Sequence, residues 1–206
     1  MFFASTLFAL ALHAAVSWPV NAGPVLPPRP PAAIRWVVQQ ESMLHIKGAS
    51  NLFAFGCSSS GYNKADTIVL SDTRPDGIVL MTGLLKIPVW TFNCGNKGMT
   101  HDLRKTLNVT EHPDVTVQFI ALERRPDIDF NTDAIKGWID VSMAGVTRRF
   151  EITFTLARTG NVVRLCGERS FRFSDFHIKP PQRMGGMVKV KDAFFVDFSL
   201  LLRQLA

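Results

Sequence analysis

From residue 42 onward, apolar and polar side chains alternate with a period of two in most segments of the chain. Leu44 and Ile46 share a row with Ser42, opposite Met43, His45 and Lys47. Phe53 and Phe55 alternate with Leu52 and Ala54, and Ile139, Val141 and Met143 with Asp140 and Ser142. Phe150, Ile152, Phe154 and Leu156 form another row, Phe171 and Phe173 flank Arg172, and Phe194, Val196, Phe198, Leu200 and Leu202 make the longest. A two-residue period places each row on one face of a strand. Pro75-Asp76-Gly77, Arg158-Thr159-Gly160-Asn161 and Gly185-Gly186 supply turns between the rows. The pattern predicts an all-β sandwich or barrel and argues against an α/β fold. It does not choose which face of each row points inward, since a one-residue slip inverts a strand.

One segment breaks the period. Leu85, Ile87 and Val89 belong to a strand over Leu84–Thr91, and Val115, Val117 and Phe119 to another. Between them Met99, Leu103 and Leu107 fall at helical spacing behind Asn96 or Thr100, either of which can cap a helix. His101 and Asp102 are expected to open that helix, with Asp102 favoured by its dipole. Pro113 then drives residue 112 out of helical geometry. A lone helix between two antiparallel strands can lie across the mouth of a barrel.

Residues 1–22 are read as a signal peptide, with Met1–Val16 apolar and Val20-Asn21-Ala22 as the cleavage pattern. Residues 23–33 carry Pro24, Pro27, Pro28, Pro30 and Pro31 and read as a semi-rigid linker. A folded domain is expected over residues 34–206, and the protein is expected in the periplasm or secreted. Lys plus Arg number 23 against 17 for Asp plus Glu, a net charge of +6. Without an interleaved aromatic-basic motif, that charge disfavours nucleic acid and fits solubility or attraction to anionic lipid.

Cys57, Cys94 and Cys166 are the three cysteines. Cys57 closes an expected strand over Leu52–Cys57, and Cys94 follows the strand from Leu84. Both then enter turn-rich stretches, so the two are expected at one rim and paired as a disulfide, leaving Cys166 free. No CxxC or HxH spacing supports a metal site, and no cofactor or catalytic fingerprint occurs.

Three blocks resemble the YceI-like family of exported, lipocalin-like proteins. The first is Cys94-Gly95-Asn96 with Met99, Leu103, Leu107 and His112-Pro113; the second is GWIDVSMAGVTRRF at Gly137–Phe150; the third is the run from Ser174 to Leu200. The resemblance covers residues 34–203. It implies an antiparallel barrel of about eight strands with a short helix near its mouth, large enough for one elongated ligand. It also implies a polyisoprenoid chain or an isoprenoid quinone as ligand, a binding protein rather than an enzyme, and transient contact with a membrane surface. A homodimer is left open.

Sixteen Phe against a single Tyr would give an apolar lumen. The expected lining takes Phe53, Phe55, Leu85, Ile87, Val117 and Phe119 from the first half of the barrel. It takes Ile139, Val141, Phe150, Ile152, Phe154, Phe171, Phe173, Phe194, Val196 and Phe198 from the second. Met99 and Leu103 stand at the entrance. His112, Asp175 and His177 are expected to pack, cap or turn rather than to react. An enzyme using the same barrel would need a buried Glu, Asp or His in the lumen, and the rows offer none. An envelope adaptor with a Phe-filled core is the other alternative.

Overall fold

Eight antiparallel strands pair edge to edge and close on themselves into a barrel. The computed structural model describes residues 33–59, 61–128 and 132–205. The expected leader at 1–22, and the linker apart from residue 33, lie outside those residues. β1 (Ile34–Val38) and β2 (Met43–Ser50) run in line along one edge of β12 (Val188–Gln204). Residues 39–42 stand opposite residues 200 and 201 only, so the chain bulges there. The bulge keeps its polar groups satisfied: Gln39 N–H donates to Leu201 O at 2.8 Å, and Leu201 N–H to Ser42 Oγ at 3.0 Å.

β3 (Ala54–Ser59) pairs β2 and β4 (Thr67–Thr73) pairs β1, while β5 (Val79–Pro88) pairs β4 and β6 (Phe92–Asn93) pairs β3. A 3-10 turn over Val89–Thr91 separates β5 from β6. α1 (Lys97–Thr106) leads to β7 (Asp114–Leu122), and a meander continues through β8 (Asp133–Met143), β9 (Val146–Thr159) and β10 (Val162–Arg172). β11 (Gln182–Arg183) pairs the start of β12. The ring β1-β4-β5-β7-β8-β9-β10-β12 is closed by Trp36 opposite Gln204 and Val38 opposite Leu202.

The barrel has two halves of different character. Away from the helix, Trp36, Ile68, Leu70, Met81, Leu122, Ile135, Leu156, Leu165 and Leu202 are each at most 1% exposed and fill the interior as a packed floor. Gly137 belongs to this layer, where a Cβ would come 2.7 Å from the Phe154 ring and 2.8 Å from Ala121 O. Ala144 (φ 47°) and Gly145 (φ 82°) turn β8 into β9 with the paired left-handed geometry a tight hairpin needs. The His112 ring lies against Gly145, so this histidine packs.

Several boundaries differ from the sequence expectation. The strand expected over Leu52–Cys57 is β3, and the one expected to reach Thr91 ends at Pro88. Phe173 leaves its row, because Phe173–Phe176 form a 3-10 turn in which the Asp175 carboxylate accepts the Arg172 N–H at 3.0 Å. Asp102 lies in the middle of α1 rather than in its first turn, and it pairs with Arg183 instead of serving the dipole. Cys57 and Cys94 form a disulfide, and Cys166 is free and half-buried.

Candidate functional site

On the helix side of the floor the barrel is hollow. A cavity of about 110 Å³ is bounded by inward rows from seven strands: Leu44 and Ile46, Leu85 and Ile87, Val115, Val117 and Phe119, Ile139, Val141 and Met143, Ile152, Phe171, and Phe194 to Leu200. Leu103 reaches it from α1, Leu107 from the helix C-cap, and Phe173 from the turn after β10. The strand positions follow from alternation: β8 buries Ile135, Gly137, Ile139, Val141 and Met143 and turns the intervening residues outward.

Helix α1 covers this chamber without burying any of its own residues completely. Asn96 caps it, its side-chain oxygen accepting the Gly98 and Met99 N–H groups at 2.8 and 3.3 Å. Three ties hold the helix down. The Cys57–Cys94 disulfide anchors the approach to it. Arg104 lies 4.6 Å from the Trp90 ring and donates to Trp90 O at 3.0 Å. Arg183 beside β12 pairs with Asp102 through both nitrogens of a bidentate contact.

A second cavity of about 90 Å³ lies beneath the helix, lined by Phe53, Phe55, Met99, Thr106, Pro181, Val188 and Val190, with Asp102 and Arg183 at its edge. Leu103 and Phe173 line both cavities and so form the partition between them.

The expected lining residues therefore divide into three groups. Leu85, Ile87, Leu103, Val117, Phe119, Ile139, Val141, Ile152, Phe171, Phe173, Phe194, Val196 and Phe198 surround the main chamber. Phe53, Phe55 and Met99 face the second cavity, and Phe53 is half exposed because it precedes β3 on the rim. Phe150 and Phe154 line neither: Phe154 is fully buried in the floor between Phe119 and Phe198, and Phe150 packs edge-on against Phe171 at 4.9 Å. The lining also takes residues left out of the expected set: Leu44, Ile46, Val115, Met143 and Leu200 from the alternating rows, Phe92 and Leu107 from beside the helix, and four polar side chains.

Those four are Ser42, Ser59, Tyr62 and Arg169. Ser42 accepts the Leu201 amide, and Ser59 Oγ shares a 2.9 Å hydrogen bond with Thr91 Oγ1. Tyr62 donates its hydroxyl proton to Asp66 and accepts from the Lys86 N–H at 3.2 Å. Burial, then the Asp66 carboxylate, pushes the Tyr62 phenol well above its ordinary range, so it stays protonated. Among the described residues Arg169 is the one charged side chain in the lining. Among the described residues no group of three His, Cys, Asp or Glu side chains is arranged to hold a metal ion, and no helix is long and apolar enough to cross a membrane.

Structures of similar fold include BcnA from Burkholderia cenocepacia, with a TM-score of 0.58 at 14% identity, covering 78% of this chain and 96% of that one. A polyisoprenoid binding domain from Saccharophagus degradans, implicated in plant cell wall breakdown, aligns with a TM-score of 0.57 at 11% identity, covering 82% and 97% of the two chains. The Campylobacter jejuni YCEI protein aligns with a TM-score of 0.51 at 13% identity, covering 72% and 86%. At such identities these likenesses establish the fold. Comparison with curated proteins gives no significant match. The model of the YceI-like domain matches residues 39–202, most of the barrel from the first bulge to near the end of β12, and the chain belongs to the YceI-like family.

Proposed function

We propose that this protein is an exported carrier that holds one polyisoprenoid chain, or the tail of an isoprenoid quinone, in the helix-side half of its barrel. The observation that carries the reading is the apolar chamber between a packed floor and the α1 lid, with Leu103 and Phe173 dividing it from a second apolar cavity. An engineered apolar cavity of about 150 Å³ stays dry and admits a benzene-sized guest. The main chamber of about 110 Å³ therefore takes a group of roughly one isoprene unit as it stands. A longer chain runs between Leu103 and Phe173 into the second cavity. The fold shared with a polyisoprenoid binding domain supports this ligand class.

Transfer energetics favour a carrier over a sink. Burying a tail from water is worth about 0.8 kcal/mol per CH₂, but a chain arriving from a bilayer gains almost none of it. Exchange with membranes is thus close to thermoneutral, and selectivity falls to chamber shape and polar contacts. Binding rather than catalysis is part of the proposal. So is export: a disulfide such as Cys57–Cys94 persists in oxidising compartments.

Membrane contact would use the rim beside the second cavity. Leu52, Phe53, Met184 and Met187 are 67%, 50%, 68% and 65% exposed there. Asn51 ties the two loops, donating to Met187 O at 2.9 Å and accepting the Lys189 N–H at 2.8 Å. One chain per barrel works equally in a monomer or in a homodimer. Native mass spectrometry of protein purified without added lipid tests the carrier reading. A co-purifying polyprenyl mass supports it; protein that is empty and stays empty with farnesol or a short-chain quinone rejects it.

A further inference from the structure

We infer that Arg169 is the polar anchor of the chamber and that it selects prenyl ligands with an anionic oxygen head, a phosphate or a carboxylate. The inference rests on the carrier reading and specifies the ligand's head. On β10 the inward row runs Val163, Leu165, Gly167, Arg169, Phe171. The β9–β10 ladder ends at Gly167 opposite Phe154, whereas β10 stays paired with β12 as far as Arg172. Above that point β9 and β10 separate, and the Arg169 side chain lies across the opening. It donates to the Glu151 carbonyl, and its guanidinium carbon sits 5.0 Å from the Phe150 ring centre and 6.0 Å from that of Phe171.

Among the described residues this cation has no countercharge. Arg124, Arg149 and Arg183 each meet an aspartate in a bidentate pair, but no ion pair among the described residues includes Arg169. Its Nε is sealed from solvent without an acceptor. A guanidinium has five N–H donors, and Glu151 accounts for one. An unpaired charge against apolar walls is costly unless something completes its hydrogen bonds. The other polar groups of the lining are already engaged: Ser42 with Leu201, Ser59 with Thr91, and Tyr62 with Asp66. Arg169 is thus the lining group with donors left to offer, and a forked guanidinium fits the paired oxygens of a phosphate or carboxylate.

The test compares two probes with one tail, farnesyl phosphate and farnesol, on the full folded protein. Wild type is expected to prefer the phosphate by about tenfold or more, as a charge-assisted hydrogen bond provides. Arg169→Met is expected to lose that preference, the ratio of the two affinities falling to about one. Arg169→Gln keeps a donor for the Glu151 carbonyl and serves if the Met variant does not fold. Equal affinities in wild type overturn the inference while leaving the carrier reading intact. A variant that melts lower yet still prefers the phosphate shows a staple across the β9–β10 opening and also overturns it. If wild type binds neither probe, the carrier reading fails and this inference with it.

Discussion

The disulfide is the clearest lever on the lid. Cys57 and Cys94 are 37 residues apart, and the loop they close contains β4, β5, the Val89–Thr91 turn and β6. The chain-entropy relation, −2.1 − 1.5R ln n cal/mol/K with n taken as that separation, gives about 3.8 kcal/mol at 25 °C. For a domain of this size each kcal/mol moves Tm by about 2–4 °C, so a loss of roughly 8–15 °C is expected. The replacement is Cys57→Ala with Cys94→Ala, since both sulfurs are buried and a hydroxyl there would add an unsatisfied group. Thermal unfolding of this variant, and of wild type with reductant, provides the assay. The two should agree, and farnesol should leave the variant faster because α1 has lost its nearest tie. A Tm loss below about 3 °C would refute the assignment of the bond as the anchor of this rim.

Four further outcomes follow from the same geometry. Val141→Phe adds a ring to the 110 Å³ chamber and should weaken farnesol binding at least about tenfold with the fold retained, read by tryptophan-fluorescence titration. Phe154→Trp, in the packed floor, should instead destabilise by about 1–3 kcal/mol in chemical denaturation. Arg124 holds the Asp133 carboxyl down at about 2, so its stabilising effect is present above the ordinary carboxylate range and is lost as pH falls from about 4 toward 2; Asp133→Asn should flatten that acid limb of stability against pH. Asp102→Ala removes an exposed pair and should cost no more than about 1 kcal/mol, yet it should increase amide exchange across α1.

Much of the chamber was legible because burial in a barrel imposes a two-residue period. Leu85, Ile87, Val117, Ile139 and Val141 read directly off their rows and line the cavity. Depth along a strand leaves no such mark. Phe154 and Ile152 share one row, but Phe154 lies in the floor and Ile152 faces the chamber. The 3-10 turn at 89–91 lies inside the strand expected to reach Thr91, because alternation continues through Val89 while the backbone bends. The bulge at 39–42 keeps two hydrogen bonds to Leu201 that no residue pattern announces. Arg169 had a signal: counting back by two from Phe171 reaches it, then Gly167, Leu165 and Val163. Its charge hid it, because a charged side chain is ordinarily found on the solvent face.

Methyl-resolved NMR during titration with farnesol tests the central claim most directly. Binding in the helix-side chamber predicts shifts at Ile87, Val117, Ile139 and Ile152, with Val163, Leu165 and Leu202 in the floor unmoved. Shifts confined to the outer surface, or spread equally through the floor, would contradict it.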